Sequence, residues 1–157
     1  MEGFIVIFLV ILAMVGARYQ RLERLRNSGI AEIDKMSGAE FENYLGQLFR
    51  ILGYRVEVTQ TSGDYGADLI LTKEGNRIVV QAKRYSKNVG LKAVQEVQSA
   101  RAHYAAAEAW VITNSNFTGQ AVVLAQSNGV KLISREELIS LCVHNEKGHR
   151  TIRTLVS

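Results

Sequence analysis

Residues 67–83 read ADLILTKEGNRIVVQAK, and this stretch decides the fold. Two runs rich in aliphatic and β-branched residues, 67–72 and 77–84, lie on either side of the turn-forming residues 74–76. Runs of this composition joined by so short a connection are typical of a β-hairpin. The sequence therefore predicts two antiparallel strands here.

The hairpin brings polar side chains together at one end. If residues 75 and 76 form a two-residue loop, the antiparallel register sets Asp68 opposite Lys83. The same register sets Ile70 opposite Gln81, and directly opposed residues point to the same face. We therefore expect Asp68, Gln81 and Lys83 to converge on one face. The other face would carry Leu69, Leu71, Val80 and Ala82.

A carboxylate, an amide and an ammonium in one cluster suit metal-assisted hydrolysis of a phosphodiester bond. Asp68 can supply a charged metal ligand, whereas Gln81 and the backbone carbonyl of Ala82 can supply neutral oxygens. Lys83 can orient the attacking water or stabilise the charge that develops on the phosphate. Glu42 adds a second carboxylate if its helix packs beside the hairpin.

Two simpler interpretations stay open at these residues. Asp68 and Lys83 could form a plain cross-strand ion pair without any catalytic role. Glu42 could be a solvated residue on the outer face of its helix.

The flanking segments predict an α/β fold. Ser37 and Glu40 form a capping-box signature at the start of a helix, and residues 54–59 alternate as a strand. After the hairpin, residues 91–104 and 118–126 are typical of helices, and residues 109–113 and 130–133 of strands. A last helix begins near residue 134. The predicted order is α-β-β-β-α-β-α-β-α, with helices on both faces of a central mixed β-sheet.

Two motifs carry a resemblance to a known family. Residues 62–68 read SGDYGAD and residues 80–85 read VQAKRY. In this combination they resemble the catalytic domain of Mrr-like type IV restriction endonucleases. The resemblance extends over about residues 34–138.

This resemblance implies a restriction-endonuclease-like fold of the PD-(D/E)xK superfamily and cleavage of DNA. It also implies a divalent metal, Mg²⁺ with Mn²⁺ as a substitute. Asp68, Gln81 and Lys83 would form the catalytic motif, with Glu42 as an accessory acid. Gln81 departs from the wider superfamily, where many relatives carry an acid, and one fewer negative ligand should weaken metal binding.

Polar residues around the cluster are candidates for contact with the DNA backbone, and we expect little sequence specificity from them. The predicted DNA-binding residues are Gln60, Thr61, Ser62, Arg84, Tyr85, Lys87 and Gln95. As alternatives, Arg84 and Lys87 could be solubilising charges, and Tyr85 could simply pack. The formal net charge of +4 fits an anionic partner, either nucleic acid or a phospholipid surface.

The first residues differ in kind from the rest of the chain. Residues 3–17 are apolar or small and would form a helix roughly 22 Å long, against a hydrocarbon core of about 30 Å. We predict a short transmembrane helix, with a signal peptide or a buried helix as the competing interpretations. The basic flank that follows indicates a cytoplasmic domain; it contains Arg18, Arg21, Arg24 and Arg26.

These features predict four regions. Residues 1–26 are the membrane anchor and its basic flank, 27–33 a linker, 34–141 the nuclease domain, and 142–157 a polar tail. The single cysteine, Cys142, fits a reducing compartment. With His144 and His149 it lacks the fourth ligand that a structural zinc site needs.

The favoured function is a Mg²⁺-dependent endodeoxyribonuclease at the cytoplasmic face of a membrane. No glycine spacing is typical of a nucleotide-binding loop, so no nucleotide cofactor is expected. A homodimer that cuts both strands is an open alternative. The rival function is a nuclease-fold module that binds DNA and tethers it to the membrane without cutting it. RNA cleavage is a third hypothesis.

Overall fold

The computed structural model describes residues 2–59 and 65–144. Their elements are, in chain order, α1 (Glu2–Lys35), α2 (Gly38–Ile51), β1 (Arg55–Val58), β2 (Leu69–Lys73), β3 (Asn76–Lys83), α3 (Leu91–His103), β4 (Glu108–Thr113), α4 (Gly119–Asn128), β5 (Val130–Ile133) and α5 (Arg135–His144). This order confirms the predicted succession of helices and strands after the N-terminal helix.

The five strands form one mixed sheet in the order β1-β2-β3-β4-β5. The β1–β2 and β2–β3 pairs are antiparallel, whereas the β3–β4 and β4–β5 pairs are parallel. Helices connect the parallel strands because a parallel pair needs a crossover that no tight turn can supply. The predicted mixed sheet, with a hairpin leading into helix-connected strands, is confirmed.

The turn between β2 and β3 lies one residue earlier than the predicted loop at residues 75 and 76. Lys73 pairs with Asn76, so Glu74 and Gly75 form the turn. Their φ angles are 51° at Glu74 and 81° at Gly75. Two consecutive positive φ angles are typical of the type I′ turn that matches the twist of a hairpin.

This earlier turn shifts the hairpin register by two residues, so the predicted pairing of Asp68 with Lys83 is wrong. Leu69 pairs with Val80. Asp68 consequently meets Gln81, whose amide nitrogen lies 2.6 Å from the carboxylate. A shift of two residues keeps each side chain on its predicted face, because side chains alternate along a strand.

Packing explains why the hairpin adopts this register. Leu71 lies opposite Ile78, and Ile70 lies opposite Val79. The predicted register would instead have placed Gln81 opposite Ile70. Aliphatic side chains directly opposite one another stabilise a sheet, and this gain outweighs the cost of a positive φ at one non-glycine turn residue.

The core lies on both faces of the sheet. One face packs against the end of α1, α2 and α5, and includes Ile33, Phe41, Leu45, Leu69, Leu71, Val80 and Ile112. The other face packs against α3 and α4, and includes Ile70, Val79, Val94, Val97, Val111 and Ala121. The hairpin strands are therefore covered on both sides, and a polar side chain there needs a specific partner.

A complete capping box starts α2. The backbone nitrogen of Ser37 donates to Glu40 Oε2 at 2.6 Å, and the Glu40 nitrogen donates to Ser37 Oγ at 3.2 Å. The two reciprocal bonds satisfy donors that a helix start otherwise leaves unpaired. They fix the first turns of α2, which carry Glu42 toward the hairpin.

The predicted linker and tail boundaries differ from the structure. Residues 27–33 are helical within α1, and Ile30 and Ile33 are buried in the core. Burial of these side chains stabilises helix that the local sequence only weakly favours. At the other end, Cys142 is buried within α5 and its sulfur lies 2.9 Å from the Tyr44 hydroxyl, so it belongs to the folded domain.

The apolar N-terminal run forms part of α1. Its large side chains from Val6 to Val15 are each more than half exposed. Within residues 2–59 and 65–144, no helix combines the length and the apolar character needed to cross a bilayer. The predicted transmembrane helix is thus not found there. The apolar run of residues 3–17 is shorter than the roughly 20 residues that a span requires.

Candidate active site

A pocket of about 400 Å³ opens where β3 ends, at its carboxyl-terminal side. The start of α2, the segment before β2, the end of β3 and the second turn of α3 form its walls. The lining residues are Gly38, Glu42, Gly66, Asp68, Gln81, Ala82, Lys83, Arg84, Tyr85 and Glu96. The fold thus brings the predicted catalytic residues together, although through a different register.

Asp68 lies at the base of this pocket and is 9% exposed. Its Oδ2 accepts a hydrogen bond from Gln81 Nε2 at 2.6 Å and another from the Ala82 backbone nitrogen at 2.7 Å. Hydrogen bonds from fixed donors hold the carboxylate in one orientation. Asp68 is therefore held in place by β3 itself.

The contact with Asp68 also determines the orientation of Gln81. A carboxylate only accepts hydrogen bonds, so the amide nitrogen of Gln81 faces it. The amide oxygen Oε1 is left buried without a hydrogen-bond partner. An unpaired buried polar atom costs about 1–3 kcal/mol, and a cation bound in the pocket would satisfy this oxygen.

These groups fit a hard divalent cation. Mg²⁺ prefers oxygen ligands and uses few carboxylates, and the pocket contains the carboxylates Asp68 and Glu42 with the amide oxygen of Gln81. Among residues 2–59 and 65–144, no three Asp, Glu, His or Cys side chains are grouped as a metal site. A cation here would therefore rely on neutral oxygens beside the acids. The ligand role of the Ala82 carbonyl stays a prediction.

Lys83 forms an ion pair across the pocket. Its Nζ lies 3.0 Å from Oε2 of Glu96 on α3, and the two side chains are only 20% and 30% exposed. Strand β3 therefore places the Lys83 ammonium inside the pocket, on the same side as Asp68.

Glu96 was not among the residues predicted from the sequence, whereas its neighbour Gln95 was. The buried side of α3 includes Val94 and Val97, whereas Gln95 is exposed and does not line the pocket. One residue is about 100° of helix rotation, which separates the two positions. The feature of the sequence that could have indicated Glu96 is an acidic residue next to the apolar positions of a predicted helix.

Arg84 and Tyr85 continue from Lys83 along the rim of the pocket. The Tyr85 backbone nitrogen donates to the side-chain oxygen of Asn114 at 2.8 Å, and Arg84 Nη1 donates to the Asp34 backbone oxygen at 3.3 Å. The Tyr85 side chain is 48% exposed. Both residues line the pocket, and Asn114, which follows β4, and Asp34 on α1 hold them there. Their contact with DNA stays a prediction.

A second polar cluster, which the sequence analysis missed, supports this rim. Arg135 donates from Nη1 and Nη2 to the two Asp34 carboxylate oxygens at 2.8 and 2.9 Å. Asn114 Nδ2 donates to the same carboxylate at 2.8 Å. The side-chain hydrogen bonds of Arg135 hold the pKa of Asp34 below its ordinary value, although burial acts in the opposite direction. The cluster joins α1, the residue that follows β4, and α5.

The remaining predicted DNA-contact residues lie elsewhere. Lys87 is exposed beyond the rim and does not line the pocket. Gln60, Thr61 and Ser62 lie outside the residues that the structure describes. Their roles stay predictions.

The chain is similar to known nucleases in sequence. Residues 33–142 match the restriction endonuclease family, at its Mrr-type catalytic domain. The type IV methyl-directed restriction enzyme EcoKMrr of Escherichia coli K12 is 34% identical over 142 residues. That match covers 82% of this chain and 47% of the relative, so the chain spans about half the length of this curated relative.

Two solved structures share the fold. The DNA modification-dependent restriction endonuclease AspBHI is 20% identical with a TM-score of 0.64, covering 85% of this chain and 40% of that one. The MspJI restriction endonuclease, in complex with a 27-mer oligonucleotide, is 19% identical with a TM-score of 0.55, covering 87% and 35%. Identities this low indicate a common architecture only.

Proposed function

From the premise that this chain belongs to the restriction endonuclease family, with an Mrr-type catalytic domain, we propose that it is a metal-dependent endonuclease that hydrolyses DNA phosphodiester bonds. The family in general uses divalent metal ions. The observation that carries the proposal is the buried, unpartnered amide oxygen of Gln81 beside the Asp68 carboxylate. In a hairpin with only a structural role, a buried amide oxygen without a hydrogen-bond partner would not contribute to stability.

Five of the pocket residues have roles in catalysis in this proposal. Asp68 and Glu42, with Gln81 and the Ala82 carbonyl, would hold Mg²⁺, or Mn²⁺ as its substitute. The bound cation supplies charge stabilisation at the scissile phosphate. Lys83 places its ammonium beside these ligands, where it orients the attacking water or stabilises the charge that develops on the phosphate.

DNA is the proposed substrate because of the relatives and the charge of the chain. The relative EcoKMrr is described as methyl-directed, and the MspJI structure contains an oligonucleotide. The formal net charge of +4 favours a polyanionic partner. Arg84 and Tyr85 at the rim would contact the backbone near the scissile bond. Gln60, Thr61, Ser62, Lys87 and Gln95 would contact the flanking phosphates.

One observation favours a second function, in which the domain binds DNA and tethers it without cutting. Gln81 stands where an acid would bring a further negative charge to the cation. A pocket with weak metal affinity would keep its DNA contacts and lose turnover.

A plasmid assay separates the two functions. The full chain, purified in mild detergent, is incubated with supercoiled DNA and Mg²⁺ or Mn²⁺, beside Asp68→Ala and Lys83→Ala. We expect nicking by the wild type, none by the variants, and none in EDTA. Binding by gel shift without nicking would favour the tether, and a preference for an RNA substrate would redirect the assignment. A methylated plasmid and a sizing column report on modification preference and dimerisation.

We also propose that residues 3–17 attach the protein to a membrane, with the nuclease domain on the cytoplasmic face. Support comes from the exposed apolar side chains between Val6 and Val15 and from the arginines that follow them. In cell fractionation, the full chain should sediment with membranes, and deletion of residues 1–17 should release it. Recovery of the intact chain in the supernatant would contradict this attachment.

A further inference from the structure

Lys83 is fixed at its backbone, but its side chain needs a separate restraint. Its carbonyl accepts a 2.6 Å hydrogen bond from the hydroxyl of Thr113, which pairs with it on β4. Beyond the backbone lies a flexible four-carbon stem, and immobilising it costs rotamer entropy. The strand alone therefore does not determine where the ammonium lies.

Glu96 supplies that restraint from α3. Its Oε2 lies 3.0 Å from Lys83 Nζ, and both side chains are largely buried. Its other oxygen lies 3.9 Å from Lys92, whose side chain is 86% exposed. An exposed pair at that distance contributes little, whereas a partly buried ion pair at 3.0 Å is screened less by solvent. The contact with Lys83 is thus the stronger one.

The backbone places Glu96 beside the pocket. A Cβ added at Gly66 would lie 2.4 Å from the Glu96 carbonyl oxygen, closer than real atoms approach. Gly66 therefore lets the segment before Asp68 rest directly on α3. This close approach sets the position of Glu96 relative to the residues that would hold the metal.

We propose that Glu96 is a positioning residue for DNA cleavage, which holds the Lys83 ammonium in place beside the metal ligands. The inference rests on the proposed nuclease function. Because Asp68 accepts hydrogen bonds from Gln81 and Ala82, Glu96 gives Lys83 a carboxylate distinct from the one assigned to the metal. Without it, the ammonium would sample other positions in the pocket.

The first test is kinetic and uses the full chain. Glu96→Gln removes the charge at nearly constant shape, Glu96→Asp keeps the charge on a shorter stem, and Glu57→Gln removes an exposed charge on β1 as the matched control. We expect Glu96→Gln to lower kcat on the order of 10- to 100-fold, the range for a misplaced reacting group. The Kd for DNA should change less than about twofold, since a positioning residue does not bind substrate. Glu96→Asp should recover part of the rate.

The second test measures the mobility of the Lys83 side chain in the absence of metal and DNA. Relaxation of ¹³Cε-labelled lysines reports how firmly each side chain is held, and exposed Lys87 serves as the internal reference. In the wild type, Lys83 should be more ordered than Lys87. In Glu96→Gln, its order parameter should fall to below about 0.6, the flexible range.

The outcomes separate this inference from the proposed function. A wild type that does not cut would remove the nuclease assignment itself. A wild type that cuts, with Glu96→Gln equally fast or with Lys83 equally ordered in the variant, would overturn only the role of Glu96. A joint loss of kcat, DNA affinity and thermal stability would also overturn it, since that pattern indicates general misfolding.

Discussion

Two neighbouring pairs on the same face of the β2–β3 hairpin carry opposite chemistry. Ile70 and Val79 are 8% and 0% exposed, and Asp68 and Gln81 are 9% and 4% exposed. The apolar pair packs with α3 and α4 in the core. Both pairs are buried to a similar degree. The difference between them lies in how burial changes the free energy of folding.

Burial stabilises the fold at the first pair and opposes it at the second. Removing an aliphatic side chain from water contributes about 1.5–3 kcal/mol. Removing a carboxylate or an amide costs free energy unless every polar atom is paired, and Gln81 Oε1 has no hydrogen-bond partner. Proteins accept such a cost mainly at functional sites, and the following predictions test this difference.

The largest effect is expected at Asp68. Asp68→Asn keeps the shape and removes the charge that would hold the cation, so kcat for plasmid nicking should fall on the order of 10³-fold. Because a buried charge is removed, the metal-free variant should unfold at the same temperature as the wild type or higher. Retention of more than a tenth of the activity would contradict the ligand role. A large drop in melting temperature would show that Asp68 serves the fold.

The apolar pair should show the reverse pattern. Ile70→Ala leaves a cavity between the sheet and α3, and should lower the free energy of unfolding by about 2–4 kcal/mol. Cleavage per folded molecule should be unchanged. Chemical denaturation and active-site titration measure the two effects, with Ile70→Val as a milder control near 1 kcal/mol. A selective loss of kcat in Ile70→Ala would remove the distinction between the pairs.

Replacing Gln81 with an acid should sharpen the comparison. In Gln81→Glu, two carboxylates would lie close together, since Gln81 Nε2 is now 2.6 Å from Asp68. Like charges at this distance destabilise the metal-free protein and favour a bound cation. We expect a lower melting temperature without metal and about tenfold tighter Mg²⁺ binding by calorimetry, equal to about 1.4 kcal/mol. Weaker binding than in the wild type would exclude Gln81 as a ligand position.

The smallest effect is expected at Asp34, a carboxylate used for structure. Arg135 holds its pKa below the ordinary value, so the folded state binds a proton less readily than the unfolded chain. The contribution is complete above the ordinary carboxyl pKa of about 4 and is lost as pH falls through the lower folded pKa. Because Asp34 is partly exposed, it amounts to less than about 1 kcal/mol.

Denaturation at several pH values checks this contribution. Asp34→Asn should be less stable than the wild type at pH 7, and the difference should shrink below pH 4. Exposed Glu57→Gln serves as the matched control. A difference that grows on acidification would mean that the sign of the coupling is reversed.

The local pattern predicted much of the site but not its contacts. Asp68, Gln81 and Lys83 share a face because side chains alternate from one face to the other along a strand. A register error of two residues therefore leaves every side chain on its predicted face. Glu96 was missed because its position depends on how α3 rests on Gly66. The register itself depended on which aliphatic side chains could face each other.

Polar contacts between residues far apart in the sequence were even harder to predict. Asp34 and Arg135 are 101 residues apart and form a bidentate pair, which no spacing rule predicts. Likewise, residues 27–33 read as a linker because their helix is stabilised by packing of Ile30 and Ile33 and not by local propensity.

The sequence by itself determined the order of the helices and strands, the hairpin and the residue types that could bind a metal. Each of these follows from periodicity and turn chemistry within a few residues. Only the tertiary structure decided that Asp68 meets Gln81 and that Lys83 meets Glu96. Those contacts depend on how helices pack on the sheet. The packed arrangement is set by the free energy of the whole chain and not by that of any local segment.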